Sequence, residues 1–381
     1  MDKIYLDYNA TTPIDPEVAE AMQPFICDHF GNPSSGHRLG QRTKQAVEEA
    51  RGQVARLLHG TPAEVIFTSG GSESNNMALK GVAYTYRGKG NHIITSQIEH
   101  PAILNPCAFL EENGYEVTYL PVDTYGMVDP DSIRKAITPR TMLISIMLAN
   151  NEVGTIQPIA EIGQIAQEHE VLLHTDAAQA VGKIPVDVEA LQVDFLSVAG
   201  HKLYAPKGVG ALYIREGIHI EPLIHGAGHE HGRRAGTENT ILDVALGKAA
   251  EVALRRMEQD AQSIRALRDR LQQLLGEKVG DVVLNGHPER RLPNTLNISF
   301  EGILGSELLE EMEEIFASTG SACHDRSQEL SGVLAAMEVP REVGFGALRF
   351  SLGRGNTEAE IEYVADLIAE KVRGLRLKEV K

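Results

Sequence analysis

The chain has 381 residues, of which 42% are hydrophobic and 23% charged, enough for two core-forming units of an ordinary globular protein; no apolar run approaches a membrane span. Its 53 acidic against 36 basic residues give a net charge of −17, which repels nucleic acid and anionic membranes, and no basic run offsets it. Three cysteines, Cys27, Cys107 and Cys323, make no disulfide framework and no CxxC pair, and Met1-Asp2-Lys3-Ile4-Tyr5-Leu6 lacks the layout of a signal peptide, so a cytoplasmic protein is expected.

In chain order, Asp7-Tyr8-Asn9-Ala10-Thr11-Thr12-Pro13 ends a short strand, and Phe30 to Gly36 is a loop rich in turn formers. Gln41 to Leu58 carries Val47, Ala50, Val54, Leu57 and Leu58 at helical spacing. Val65-Ile66-Phe67-Thr68 reads as a strand, followed by Ser69-Gly70-Gly71-Ser72 and a helix through Met77 and Leu79. Small residues before a helix let unpaired N–H groups close on an anion, so this turn is a candidate phosphate site at Gly71 and Ser72. His92 to Thr95 is the next strand, with His100 close behind it, and Met142 to Leu148 reads as a buried strand ending at Asn150-Asn151.

Two further apolar strands carry the chemistry. Val171 to Gln179 delivers Asp176 to a carboxyl end, and Asp194 to Ala199 runs into Gly200-His201-Lys202. Ligands in open α/β sheets sit beyond the carboxyl ends of strands. A lysine there is partly desolvated, which lowers its pKa and frees its amine as a nucleophile. A lysine to hold an aldehyde and a carboxylate to keep a pyridine nitrogen protonated are the two requirements of pyridoxal phosphate (PLP).

Beyond them, Gly208 to Ile214 is a strand and His225 to Thr237 a glycine-rich loop, whose histidines lack the rigid frame of a metal site; no metal is expected. Ile241 to Leu275 reads as one long helix or a bent pair. Thr295 to Phe300 opens a smaller α/β unit, and Thr357-Glu358-Ala359-Glu360 is a capping box for the last helix. Cys323 sits in the small, polar stretch Ser318 to Ser327, which reads as a mobile loop exposing a reactive thiolate rather than as core.

These stretches, from Tyr5-Leu6-Asp7-Tyr8-Asn9-Ala10-Thr11-Thr12 to Leu348-Arg349-Phe350-Ser351-Leu352-Gly353-Arg354, resemble the cysteine desulfurases and selenocysteine lyases among the class V aminotransferase-like PLP enzymes. The resemblance implies an α/β protein of PLP-dependent transferase fold type I: a large domain, residues 15–255, with a mostly parallel seven-stranded sheet between helices, and a small α/β domain, residues 1–14 and 256–381, carrying the cysteine loop. It places Asp7 to Thr12 and the Phe30 to Gly36 loop on an active-site rim.

The resemblance implies that Lys202 holds PLP, that Asp176 faces its ring nitrogen, and that Gly71, Ser72 and His201 lie at its phosphate. His100 lies over the ring as an acid/base group, Asn151 and Gln179 contact its hydroxyl, and Asn151 and Arg349 receive the substrate carboxylate. Thr237 crosses a homodimer interface to the partner's phosphate. Cys323 accepts sulfur from L-cysteine as a persulfide, leaving L-alanine, and passes it to a protein acceptor such as an iron–sulfur scaffold.

Two positions depart from the desulfurase pattern: Ala199, where a phosphate-binding serine is usual, and His324, where a small hydroxyl residue is usual. Both point to the branch acting on L-selenocysteine, which stays open as an alternative. A PLP aminotransferase or another PLP lyase would leave Cys323 without work, and a noncatalytic sulfur-carrying scaffold would need neither Lys202 nor PLP.

Overall fold

The computed structural model describes residues 3–319 and 330–379. Its strands are β1 (Ile4–Tyr5), β2 (Val65–Thr68), β3 (His92–Ser96), β4 (Glu116–Leu120), β5 (Thr141–Ser145), β6 (Leu172–Asp176), β7 (Phe195–Ala199), β8 (Gly210–Ile214), β9 (Val282–Asn285), β10 (Thr295–Phe300), β11 (Ile315–Phe316) and β12 (Ala347–Ser351). Seven of them form the main sheet in the order β2, β8, β7, β6, β5, β3, β4. The pairs from β7 to β4 are parallel, and only β8, set between β2 and β7, runs antiparallel to its neighbours.

Strands β5 to β8 are buried almost throughout, which is why they read as apolar runs without polar alternation. Their residues still alternate between the two faces. Ile144 and Leu196 join a cluster with Val54, Leu58 and Ala249, whereas Leu143, Phe195 and Leu212 join one with Met77, Leu79 and Ile93. The expected strand from Met142 to Leu148 is shorter as a regular ladder, ending at Ser145. Beyond it Ile146 and Leu148 still donate to the carbonyls of His174 and Asp176, at 3.1 and 2.9 Å, so the chain keeps its pairing with β6 and stays buried through Asn150.

A second sheet, β12-β10-β9, is antiparallel. Leu296, Ile298, Phe300, Leu348 and Phe350 form its core with Leu271, Leu275, Ile361 and Ile368. The stretch after Thr240, readable as one helix or two, is a single helix of 39 residues, Thr240–Lys278. Its first half, through Ala253, packs in the main core, and its second half, from Ile264, packs under the small sheet. The chain start belongs with the small sheet as well: Ile4 and Tyr5 pair with Ile315 and Phe316. The capping box forms as expected, Thr357 N–H donating to Glu360 Oε2 at 2.8 Å and Glu360 N–H to Thr357 Oγ1 at 3.3 Å.

The glycine-rich loop after β8 is anchored by a buried ion pair. Arg51 donates from both Nη atoms to Glu230, at 2.6 and 2.9 Å, and Glu230 also accepts from the Phe67 N–H at 2.9 Å. A charge withdrawn from water persists only when so fully partnered, and the pairing ties the loop to the end of β2.

Candidate active site

In-register parallel pairing sets Asp176 of β6 opposite Ser197 of β7, so both strands end at the same edge and the turn carrying Lys202 follows directly. A cavity of about 290 Å³ opens there. Its wall includes Gly71, Ser72, His100, Asn151, Asp176, Gln179, Ala199, His201, Lys202 and Arg349, every expected cofactor and substrate residue among the described ones except Thr237. Thr237 is exposed and stands away from this chain's own cavity. The Phe30 to Gly36 loop does not reach the cavity either: Pro33 and Ser34 line a separate one with His229 and His231 of the glycine-rich loop. Cys323 and His324 lie outside the described residues.

The Asp176 side chain accepts from two donors. Asn75 Nδ2 donates to Oδ2 at 2.7 Å and the Ala178 N–H to Oδ1 at 2.9 Å. Facing it, Lys202 has its ammonium pKa pulled down to about 8, chiefly by desolvation; Arg349 adds to the fall, and Asp176 and Asp7 oppose it. A useful fraction of free amine therefore exists at neutral pH.

His100 caps the helix Pro101–Glu112, its Nδ1 accepting from the Ala102 N–H at 3.1 Å. Desolvation and the neighbouring Lys202 lower its pKa, so the ring is neutral, and with Nδ1 accepting, its proton sits on Nε2. His201 is likewise neutral, pulled down to about 4 by desolvation and by Lys202, Lys207 and Lys183, with Nδ1 at 3.2 Å from Thr11 Oγ1.

At the other end, Gly70 takes φ 147°, a conformation that favours glycine, and turns β2 into the helix Gly71–Thr85, whose first residues, Gly71 and Ser72, line the cavity. Ala199 presents only a methyl group in the same wall, close to Gly71, so its side chain offers an anion nothing.

Sequence reasoning missed three residues. Asn75 lies one turn after Gly71 on the same helix face, a signal its spacing carried. Its Oδ1 is buried without a partner. Asn9 binds across the domains: its carbonyl accepts from Gln179 Nε2 at 3.0 Å, and its Nδ2 donates to the Asn151 carbonyl at 3.1 Å and Thr295 Oγ1 at 2.8 Å. Lys183 donates to Gln179 Oε1 at 2.8 Å and Asn9 Oδ1 at 3.1 Å, fixing both amides. No local pattern announces such contacts between distant segments.

The wall suits PLP by its chemistry: an anion-binding helix start at one end, a doubly donated carboxylate at another, and a lysine of lowered pKa between them. Arg349 Nε, buried and unpartnered in the same wall, suits a carboxylate.

The family model for Aminotransferase class-V matches residues 4–364. The chain is 50% identical over 376 residues to "Cysteine desulfurase IscS" of Dictyoglomus turgidum, covering 98% of this chain and 95% of the relative. Among solved structures it is similar to "NIFS-LIKE PROTEIN", with a TM-score of 0.91 and 40% identity over 97% of this chain and 98% of that one. It is also similar to "SspA in complex with cysteine", with a TM-score of 0.83 and 39% identity over 93% and 100%.

Glu99, beside His100, is buried, with its carboxyl accepting from Ser96 Oγ at 2.6 Å and the Met147 N–H at 3.0 Å. Desolvation raises its pKa to about 8. A raised carboxyl pKa favours the folded state most below the unfolded value and loses that advantage as pH climbs through the folded one. Glu99→Gln is therefore expected to flatten the fall in Tm between pH 6 and pH 9 by about 2 °C or more. Calorimetry of both proteins at the two pH values checks this; parallel pH profiles would contradict it.

Proposed function

The chain belongs to the class-V aminotransferase family, and we propose that it is a PLP-dependent cysteine desulfurase, converting L-cysteine to L-alanine and leaving the sulfur on Cys323. The observation that carries the reading is the pairing of Lys202 and Asp176 at one strand edge, with a helix start and Arg349 in the same wall. When bound, PLP supplies an electron sink for the pair released as a bond at the substrate α-carbon breaks.

The chain's own residues do the rest. Asp176, which accepts from Asn75 and the Ala178 N–H, would face the ring nitrogen and favour its protonated form. Gly71 and Ser72, at the helix start, would hold the phosphate, with His201 in the same wall, and Ala199 would contribute shape alone. Gln179 and Asn151 present polar groups to the ring hydroxyl, and Arg349 takes the substrate carboxylate. Lys202 moves the α-proton, its pKa of about 8 suiting it to give and take a proton near neutrality. His100 holds a second proton at Nε2.

Cys323 attacks the substrate sulfur as a thiolate. An S–S bond forms as the Cβ–S bond breaks, so cysteine and a thiol become alanine and a persulfide. The anchors of its segment support this role. Ser318 exchanges backbone hydrogen bonds with Arg349 at 2.6 and 3.2 Å, and the Ser331 hydroxyl donates to Glu152, next to Asn151. The sulfur then passes to a protein acceptor, with an iron–sulfur scaffold as the leading kind.

A second reading, selenocysteine lyase, is favoured by the Ala199 methyl in the cavity wall. One experiment separates the two. Cys323→Ala is expected to lower alanine formation from L-cysteine at least about hundredfold while PLP binding is kept, and to lose less with L-selenocysteine, whose selenium is the better leaving group. Alanine, sulfide and selenide are the readouts. Wild-type turnover of cysteine by the variant would overturn the persulfide mechanism.

The exposed Thr237, away from its own cavity, supports a homodimer in which it reaches the partner's phosphate. Sedimentation at micromolar concentration is expected to give a two-chain particle, and a fully active monomer would contradict the assignment.

A further inference from the structure

Asp7 does not line the cavity and enters the account above only as a charge that opposes the fall in the Lys202 pKa. It stands behind Arg349. The arginine side chain is 8% exposed, its Nη2 donates to Asp7 Oδ1 at 2.8 Å, and its Nη1 donates to the Asn151 carbonyl at 3.0 Å. Neither contact uses Nε, which is buried and without a partner. The chain around Asp7 is fixed against the arginine's own strand: Ser351 N–H donates to the Leu6 carbonyl at 2.7 Å and Tyr8 N–H to the Ser351 carbonyl at 3.1 Å. The Tyr5 hydroxyl donates to the Asp7 carbonyl at 3.0 Å.

We propose that Asp7 is a positioning residue for the substrate, holding the Arg349 guanidinium from behind so that its remaining N–H groups meet the carboxylate of the incoming amino acid. The inference rests on the desulfurase reading, in which Arg349 takes that carboxylate. An arginine has several free torsions, and one that must be ordered at each binding event binds more weakly than one already fixed. A charge-assisted hydrogen bond to one Nη, with a carbonyl on the other, sets the guanidinium plane in advance. The Asp7 charge also acts in the opposite sense, repelling a second carboxylate nearby. Two substitutions separate these effects: Asp7→Asn keeps an acceptor oxygen in place and removes the charge, and Asp7→Ala removes both.

The test is steady-state kinetics on the holoenzyme together with cysteamine binding, which offers the same amine and thiol without a carboxylate. Asp7→Ala is expected to raise the KM for L-cysteine about tenfold with kcat within about threefold, and Asp7→Asn to bring KM back to within about threefold of wild type. Cysteamine should half-saturate the change in visible absorbance at the same concentration in all three proteins. A wild-type KM in Asp7→Ala, an Asp7→Asn enzyme as weak as Asp7→Ala, or a loss of cysteamine affinity in step with KM would each overturn the proposal, the last by making Asp7 merely structural. Arg349→Lys separates the role of Asp7 from that of Arg349. An unchanged KM there means that Arg349 does not take the carboxylate, whereas a raised KM there beside a wild-type KM in Asp7→Ala removes only the role of Asp7.

Discussion

Parallel pairing of β6 with β7 governs the site. With Asp176 opposite Ser197, the two strands end together, and the turns leaving them must share one edge of the sheet. The carboxylate stays at the end of its strand, while β7 runs two residues further and turns through Gly200 to bring Lys202 round. A slip of one residue in this pairing would turn Asp176 to the opposite face and leave the lysine without its counterpart. The buried, apolar strands on either side, Leu143 to Ser145 and Gly210 to Ile214, fix that register by packing both faces of the sheet.

The same burial creates the electrostatic tension that makes the site reactive. Removing Lys202 from water weakens its hold on a proton, and Arg349 weakens it further, while Asp176 and Asp7 act against both. Asp176 in the same wall is met by two donors, Asn75 and the Ala178 N–H. Neutral His100 and His201 and the strongly desolvated Lys183 belong to the same environment, in which burial disfavours the protonated form of each. A bound phosphate would meet main-chain N–H groups and neutral imidazole there, a setting of dipoles more than of full charges.

Much of this was legible in the sequence because it is local. The apolar runs ending in Asp176 and Lys202, the glycine turn before a helix, and the Thr357–Glu360 box each declare themselves within a few residues. The contacts that orient these groups are not local. Gln179 meets Asn9 across 170 positions, and Arg349 meets Asp7 across 342. Neither follows from periodicity, since both depend on how the chain start joins the small sheet through Ile4 and Tyr5. Thr237 shows the converse: its exposure was invisible in a glycine-rich loop with no periodic pattern, and the buried Arg51–Glu230 pair that anchors that loop joins residues 179 apart.

The most direct measurement is to reduce the PLP-loaded protein with borohydride and map the labelled peptide. The pyridoxyl group is expected on Lys202. A label on Lys183, the other strongly desolvated lysine near this wall, or no covalent label at all, would contradict the central assignment.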